Sequence, residues 1–437
     1  MQTNFTPEQL NDPEIAIVNP ILRSCVHCGM CTATCPTFVT LGDELDSPRG
    51  RIYLIKDMLE NGRAASEVEA THLDRCLSCL SCMTTCPSGV DYMHLIDHAR
   101  VHVETTYRRR LPDRVMRFAL AAILPYPGRM RAAIRLAGLA RPFAFLLPKS
   151  GVFFKRLHAM LALAPRGLKK AGPGRSEIHK PPGRQKGRVA LLGGCAQDAL
   201  APEINAATIR LLNRLGYEVV VPEAAGCCGA LEHHMGRHEA ALAAARRNVA
   251  AWAGAFYREG LDAVITSTSG CGTVLKDYRC LLRNDSFSQV AKEISAISFD
   301  LSEFLIRAGY APMRQMPQLT IAYHAACSLQ HGQKITDAPK QLLRKAGFTV
   351  VEPKDSHLCC GSAGTYNILQ PEIAATLRRR KLDTLHAKKP DLIAAGNIGC
   401  LMQLAGDGIP TVHVAELLDW AAGGPMPVVA NASGVGR

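Results

Sequence analysis

Two hydrophobic periods divide this 437-residue chain. Early on, residues 51–59 place apolar side chains at Ile52, Ile55, Met58 and Leu59, offsets i, i+3, i+6 and i+7 that line one face of an amphipathic helix. From about residue 104 to 170 the pattern stays helical but is cut by Pro112, Pro125, Pro127, Pro142 and Pro148. Each starts or breaks a helix, because the ring removes an N–H and clashes with the preceding turn. Residues 171–183 are rich in Pro, Gly and charge and read as an interdomain linker. Beyond it the period changes. Short apolar and β-branched runs at 189–192, 218–221 and 263–266, and again at 320–323, 349–351 and 391–394, alternate with helical stretches and predict strands.

Those two sets of strands are copies of one unit. The first carries Cys195, then Cys227-Cys228-Gly229, then Cys271; the second carries Cys327, then Cys359-Cys360-Gly361, then Cys400. In each, 31 residues separate the lone cysteine from the Cys-Cys-Gly, and a helix closed by Gly216 or Gly347 precedes the second strand. Strands joined through helices of this length imply right-handed crossovers and a parallel sheet. In such sheets functional groups collect past the carboxyl ends of strands, where strand order switches. The spacing therefore predicts four cysteines converging in each copy.

Composition narrows the setting. No run approaches the roughly 18 apolar residues of a spanning helix; the nearest, 118–124, is far too short. The formal charge of +13 is concentrated: residues 101–187 hold 19 Lys and Arg against Glu104, Asp113 and Glu177, or +16, leaving −3 elsewhere. Arg108-Arg109-Arg110, Arg114, Arg117, Arg129, Arg131, Arg135 and Arg141 interleave with the apolar runs 118–124 and 143–147. That alternation suits an anionic membrane surface or an acidic partner subunit, with solvated basic helix faces as the plainer alternative. Nucleic acid is set aside, since aromatic residues make up only 5% and no nucleic-acid module is recognised. The opening MQTNFTPEQL lacks a basic-then-apolar leader, so a reducing cytosolic compartment is expected, where clustered cysteines read as metal ligands or redox groups.

The strongest chemical signal lies at the N-terminal end. Cys25-x2-Cys28-x2-Cys31-x3-Cys35-Pro36 and Cys76-x2-Cys79-x2-Cys82-x3-Cys86-Pro87 repeat the spacing of paired cubane iron-sulfur clusters. The last cysteine of each run ligates the other cluster in that arrangement, giving Cys25, Cys28, Cys31 and Cys86 to one and Cys35, Cys76, Cys79 and Cys82 to its neighbour. Structural zinc is the competing reading, but it does not use the redundancy of the doubled runs. For the eight repeat cysteines three readings stand: a further iron-sulfur cluster, a redox-active thiol site, or packing. His324 and His357 lie close to these motifs and have two readings: ligands or proton donors, or, the favoured one, strand-end or loop histidines hydrogen-bonded to backbone. His27 is expected to tune its cluster by position, the pair His233-His234 has no spaced partner that would make a metal site, and Cys280 reads as an ordinary thiol. No G-x-G-x-x-G follows a strand and no phosphate loop is present, so no flavin or nucleotide is expected on this chain.

The two Cys-Cys-Gly repeats resemble the cysteine-rich domain shared by heterodisulfide reductase, the third subunit of anaerobic glycerol-3-phosphate dehydrogenase and the lactate-utilisation iron-sulfur protein. Together with the N-terminal module, their order and spacing are most similar to the iron-sulfur subunits of glycolate oxidase, across nearly the whole chain. Ser47-Pro48-Arg49-Gly50-Arg51, Ser269-Gly270-Cys271-Gly272 and Asn397-Ile398-Gly399-Cys400 carry the likeness. In the heterodisulfide reductase version each repeat ends in C-x2-C. Here Thr268 and Asn397 occupy the earlier position of that pair, which argues against disulfide reduction.

The resemblance implies an α+β and α/β chain in four parts. These are a mainly helical two-[4Fe-4S] ferredoxin module at 1–103, a basic helical connector and linker at 104–187, and α/β cysteine-rich repeats at 188–318 and 319–437. It further implies an electron-transfer subunit, not catalytic alone, fed by an FAD-containing subunit that oxidises glycolate or a D-lactate-like 2-hydroxy acid, with another flavoprotein-like subunit in the complex. A quinone is the implied acceptor and the inner face of the cytoplasmic membrane the implied location. The same module in a lactate or glycerol-3-phosphate dehydrogenase, a thiol-disulfide reductase built on the repeat cysteines, and a zinc-stabilised binding protein are the alternatives.

Overall fold

Helices near the N-terminus begin where a side-chain oxygen or a proline suits a helix start. Asp12 accepts from Glu14 N ahead of the helix Pro13–Ser24, Ser47 accepts from Gly50 N ahead of Pro48–Glu60, and Ser66 forms a capping box with Glu69 ahead of Glu67–Asp74. The apolar face read at 51–59 turns inward. Ile52, Ile55, Met58 and Leu59 are buried in one cluster with Leu73, Leu95, Ile96 and Ala99 of the helices Glu67–Asp74 and Tyr92–Thr106. The computed structural model describes all residues except 149, 166, 170, 171, 173–176 and 433–437, so much of the linker expected at 171–183 lies outside the described residues.

The connector forms helices Leu111–Ile123, Pro127–Ala140 and Val152–Leu163, with a 3-10 turn at Arg141–Leu146. Pro112, Pro127 and Pro142 each occupy one of the first two positions of an element, where a missing N–H costs nothing. Part of the basic excess is used internally. Arg109 reaches Asp74 at 2.6 Å and Glu104 at 2.9 Å, Arg117 reaches Asp74 at 2.7 Å, and Arg156 reaches Asp113 at 2.6 Å. Met116 and Leu120 pack on Ile368 and Leu369, so the connector is fastened to both the N-terminal module and the C-terminal repeat.

Among the described residues nine strands follow: β1 (Ile178–His179), β2 (Gly187–Leu191), β3 (Tyr217–Val220), β4 (Ala263–Thr266), β5 (Ser298–Asp300), β6 (Thr320–His324), β7 (Thr349–Val351), β8 (Leu392–Ala395) and β9 (Thr411–His413). They make two sheets, ordered β1-β3-β2-β4-β5 and β7-β6-β8-β9, parallel throughout except where β1 runs antiparallel to β3. The copies thus share one topology, with the first strand of each unit between the second and third. Three strands escape the sequence reading. β1 lies inside the expected linker, and β5 and β9 are three residues each, too short to show a period. β5 and β9 lead straight into helices capped from their last residues, Asp300 accepting from Ser302 N and His413 from Ala415 N.

The central strands β4 and β8 are buried along their full length. Val264, Ile265, Leu392 and Ile393 show no exposure, and each such side chain contributes about 1.5–3 kcal/mol on burial. The strand ends that carry the cysteines are therefore held by the deepest part of each core. One core cluster runs through both copies, where the helix Pro202–Arg214 packs on Val414–Ala421. Buried Asp419 takes Arg210 Nε at 2.8 Å and pairs with Arg214 at this seam.

Candidate metal centres

The two N-terminal cysteine loops are bent alike. His27 (φ 56°) and Gly29 (φ 82°) in the first, and Ser78 (φ 49°) and Leu80 (φ 62°) in the second, adopt the left-handed region at matching positions. A non-glycine residue there costs roughly 1–2 kcal/mol, and strain of this kind persists where the surroundings over-determine it. Its local product is a tight curl. Cys25, Cys28 and Cys31 line one cleft together with Cys82 and Cys86 from the other run, beside Ile52 and Tyr92.

Cys35 stands with the other set. Cys76, Cys79 and Cys82 are buried with it. Burial pushes the Cys79 thiol up, reinforced by Cys359, Cys82 and Cys35; burial likewise raises Cys82, reinforced by Cys76, Cys35 and Cys31. Cys31 is pushed up to about 11, again chiefly by burial. Thiols crowded in this way resist ionising unless a cation accompanies them, which is the donor set that an iron cluster fits. Thiols of the two runs thus lie side by side, with Cys82 coupled to Cys31 as well as to Cys76 and Cys35.

Arg51 is a fully buried cation of this region, beside Arg100, whose Nη2 donates to the Cys76 carbonyl at 2.6 Å. Arg51 Nε donates to the His72 carbonyl at 2.7 Å, its Nη2 lies 3.2 Å from Asp46 Oδ1, and its Nη1 lies 3.9 Å from Cys35 Sγ. Burial opposes its charge, yet Cys76, Tyr92, Cys35 and Asp46 together hold it firmly protonated. Asp46, itself fully buried, also meets His72 at 3.0 Å and Arg75 at 2.9 Å. Sequence reasoning noted Arg51 only as part of a motif; its approach to Cys35 follows from the helix Pro48–Glu60, which carries it inward.

In the repeats, every cysteine site lies past the carboxyl ends of the strands on either side of the switch in strand order. Cys195 follows β2, and Cys271 sits in the first turn of the helix Ser269–Lys276 after β4; Cys327 follows β6, and Cys400 sits in the helix Ile398–Leu404 after β8. Each Cys-Cys pair is delivered by a loop whose glycine has positive φ, 86° at Gly229 and 88° at Gly361. A Cβ at Gly361 would lie 2.7 Å from the Ala374 carbonyl, so the loop presses directly on the helix Pro371–His386.

The first copy brings its four thiols into contact: hydrogen bonding from Cys195 and Cys228 holds Cys227 well below the usual thiol range, while Cys228 meets Cys271 and is itself raised. In the second copy Cys327 and Cys359 Sγ are 3.8 Å apart, and Gly361 N donates to Cys359 Sγ at 3.4 Å. Asn397 Nδ2 donates to Cys400 Sγ at 3.4 Å. The Cys400 thiol is pulled down to about 5, first by its hydrogen bond with Cys360, with burial opposing and His324 adding to the fall.

His324 differs from the sequence expectation. It is 1% exposed, neither ring nitrogen has a hydrogen-bond partner among the described residues, and its donor atom lies within 4.8 Å of those of Cys360 and Cys400. The backbone hydrogen bond expected for it is absent. The other histidines serve contacts. His331 Nε2 donates to the His357 carbonyl at 3.0 Å, with its Nδ1 2.8 Å from Thr84 Oγ1. His233 Nε2 meets Asp97 at 3.1 Å, with His234 beside it. Cys280 lies with His94 and Asp277 where the N-terminal module meets the first repeat. His27 packs edge-on to Tyr53.

One contact had no signal in the sequence. Leu77 and Cys79 share an apolar cluster with Cys359 and Tyr366 of the second repeat, and Cys327 packs against it. Tyr366 Oη donates to the Arg75 carbonyl at 3.0 Å. The second of the N-terminal cysteine sets therefore adjoins the second repeat's cysteines.

A 4Fe-4S dicluster domain model matches residues 21–90, and a cysteine-rich domain model matches residues 189–276 and 321–405. The chain is 42% identical to the glycolate oxidase iron-sulfur subunit of Escherichia coli (strain K12), over 96% of this chain and 99% of that one. It is 34% identical to the probable glycolate oxidase iron-sulfur subunit of Bacillus subtilis (strain 168), over 92% and 94%. Identity to lactate utilization protein A of Geobacillus thermodenitrificans (strain NG80-2) is 28%, over 53% of this chain and 98% of that one. Among solved structures, a hypothetical protein from Helicobacter pylori aligns over 97% of this chain and 74% of its own, with a TM-score of 0.55 and 11% identity, a likeness of fold alone.

Proposed function

Since this chain belongs to the family of glycolate oxidase iron-sulfur subunits, we propose that it accepts electrons from a separate FAD-containing subunit oxidising glycolate or a related 2-hydroxy acid, and delivers them toward a membrane quinone. Cys25, Cys28, Cys31 and Cys86 hold one [4Fe-4S] cluster, Cys35, Cys76, Cys79 and Cys82 the second, and the repeat cysteines a further iron-sulfur group. Bound clusters supply one-electron transfer. The protein's residues do the rest: thiolates fix the spacing, apolar walls exclude water, and Arg51 sets the charge beside Cys35.

The observation that carries the reading is the contact between Cys79 and Cys359. It gives electrons leaving the N-terminal module a short exit into the second repeat. At the junction with the first repeat, Cys280 lies with His94 and Asp277.

The connector supports a place at the membrane surface. No helix among the described residues is long and apolar enough to cross a membrane. Yet Leu111, Val115 and Phe118, spaced on one helical face, are exposed, as are Leu139 and Phe145, with Arg108, Arg110, Arg114, Arg129 and Arg135 exposed around them. Apolar residues ringed by cations suit an anionic interface.

The test is anaerobic copurification with partner subunits, followed by iron and sulfide counts and substrate-dependent reduction of a quinone analogue. About twelve or more irons are expected, since two cubanes supply about eight, together with activity on glycolate. Activity on lactate or glycerol phosphate but not glycolate would reassign the substrate. Zinc in place of iron would remove the electron-transfer role.

A further inference from the structure

The two repeats have one topology but different donors. Three residues before the first cysteine, the first copy has Leu192 and the second has His324. Leu192 is an ordinary core side chain, packed with Ala190 and Val264. His324 occupies the corresponding depth, where its ring faces the Cys400 thiol but makes no hydrogen bond of good geometry among the described residues.

An imidazole is an expensive substitute for leucine at such a place. Leaving a buried donor or acceptor without a well-formed hydrogen bond is unfavourable, and neither ring nitrogen of His324 makes one among the described residues. An unpaired buried polar group in an otherwise well-satisfied site points to a ligand. Its surroundings identify the kind. His324 faces Cys360 and Cys400, all three are buried, and their donor atoms lie within 4.8 Å of one another. Ligands bound to one metal at about 2.0–2.3 Å stand roughly 3.5 Å apart, so modest closure around an ion satisfies all three. Other polar groups near these thiols already have partners: Lys381 Nζ donates to the Asp355 carbonyl at 2.8 Å, and Asn397 donates to Cys400.

We propose that His324 is an iron ligand of the second repeat, which therefore offers Cys327, Cys359, Cys360, Cys400 and one imidazole, whereas the first offers four thiolates. The inference rests on the reading above that the repeats bind iron-sulfur groups. The imidazole is neutral and comes in addition to the thiolates, so the two repeats carry equal thiolate charge and differ in the number and type of their donors.

The full-length chain, purified anaerobically with and without 15N-histidine, is analysed for iron, sulfide and zinc and examined by pulsed electron paramagnetic resonance during stepwise reduction. The same is done for His324→Leu, which copies the first repeat, with circular dichroism as the check on folding. The expected result is iron above the roughly eight of two cubanes and a directly bonded histidine nitrogen in one signal. That coupling is lost in His324→Leu while the other signals and the fold persist. Iron above eight with no such coupling, or with coupling unchanged in His324→Leu, overturns the inference and leaves repeat ligation standing. Iron near eight, or zinc in its place, overturns both. If His324→Leu does not fold, the labelled wild-type protein decides by itself, since presence or absence of the coupling is read directly.

Discussion

At the level of single residues, two positions shape the sites without belonging to the cysteine sets. Arg51 places a positive charge against Cys35 in a region closed to water. A unit charge about 6 Å away at an effective dielectric of about 20 is worth roughly 3 kcal/mol. For one electron that is on the order of 100 mV, reduced here by the Asp46 counter-charge. Arg51→Gln is expected to lower the potential of the adjacent centre by tens of millivolts to about that ceiling, read by redox titration. Asp46→Asn should act on stability instead. It leaves Arg51 buried without its carboxylate, and breaking a buried pair costs about 3–5 kcal/mol, read as a fall in the denaturation midpoint. Gly361 tests the loop that delivers Cys359 and Cys360. An alanine there meets a left-handed backbone, worth about 1–3 kcal/mol, and overlaps the Ala374 carbonyl. At Gly229 the nearest atom would be 3.1 Å away. Thermal unfolding should therefore show a larger loss for Gly361→Ala than for Gly229→Ala.

Among the elements, the helix Leu111–Ile123 has two faces with different work. Met116, Arg117 and Leu120 hold it to the protein, while Leu111, Val115 and Phe118 face outward. Changing those three to serine should leave the melting temperature within a degree or two and reduce cosedimentation with anionic vesicles at least about tenfold, since each large apolar side chain contributes about 1.5–3 kcal/mol when buried. The helix Tyr92–Thr106 makes the corresponding inner junction. His94 Nε2 lies 3.1 Å from Asp277 of the first repeat, and hydrogen bonds to Asp277, Asp91 and Cys280 push its pKa up to about 12. A histidine raised in the folded state binds a proton there that the unfolded chain has lost above about pH 6.5. Its stabilisation is full below that pH and declines as pH rises toward 12. The difference in stability between wild type and His94→Asn should shrink between pH 7 and 10, and a constant difference would contradict this role.

Across the whole molecule, what the sequence could reveal was whatever repeats or has a period. The doubled cysteine runs pointed to crossed sets of four, and the 31-residue spacing placed cysteines past matching strand ends, because ligands of one site must recur at fixed distances along the chain. Strands β5 and β9 were too short to announce themselves, and β1 was hidden among linker residues. The junction of Cys79 with Cys359 was invisible for a different cause: it joins segments far apart in the chain, and no spacing encodes a contact between separately folded parts. His324 lay between these cases. Its position in the repeat could be read, but its lack of a partner is a property of the packed interior. The junction itself is open to test. Cys359→Ser should slow electron delivery to a quinone analogue much more than Cys227→Ser, measured on complexes whose N-terminal clusters are intact; equal loss from both would mean that the first repeat also lies on the route.

That junction also bears on how the protein is made. Leu77 and Cys79 form part of the wall around Cys359 and Tyr366, so the C-terminal site is completed only when the N-terminal module docks. A C-terminal half produced alone would lack the side of that wall which Leu77 and Cys79 supply, leaving Cys359 and Tyr366 uncovered there.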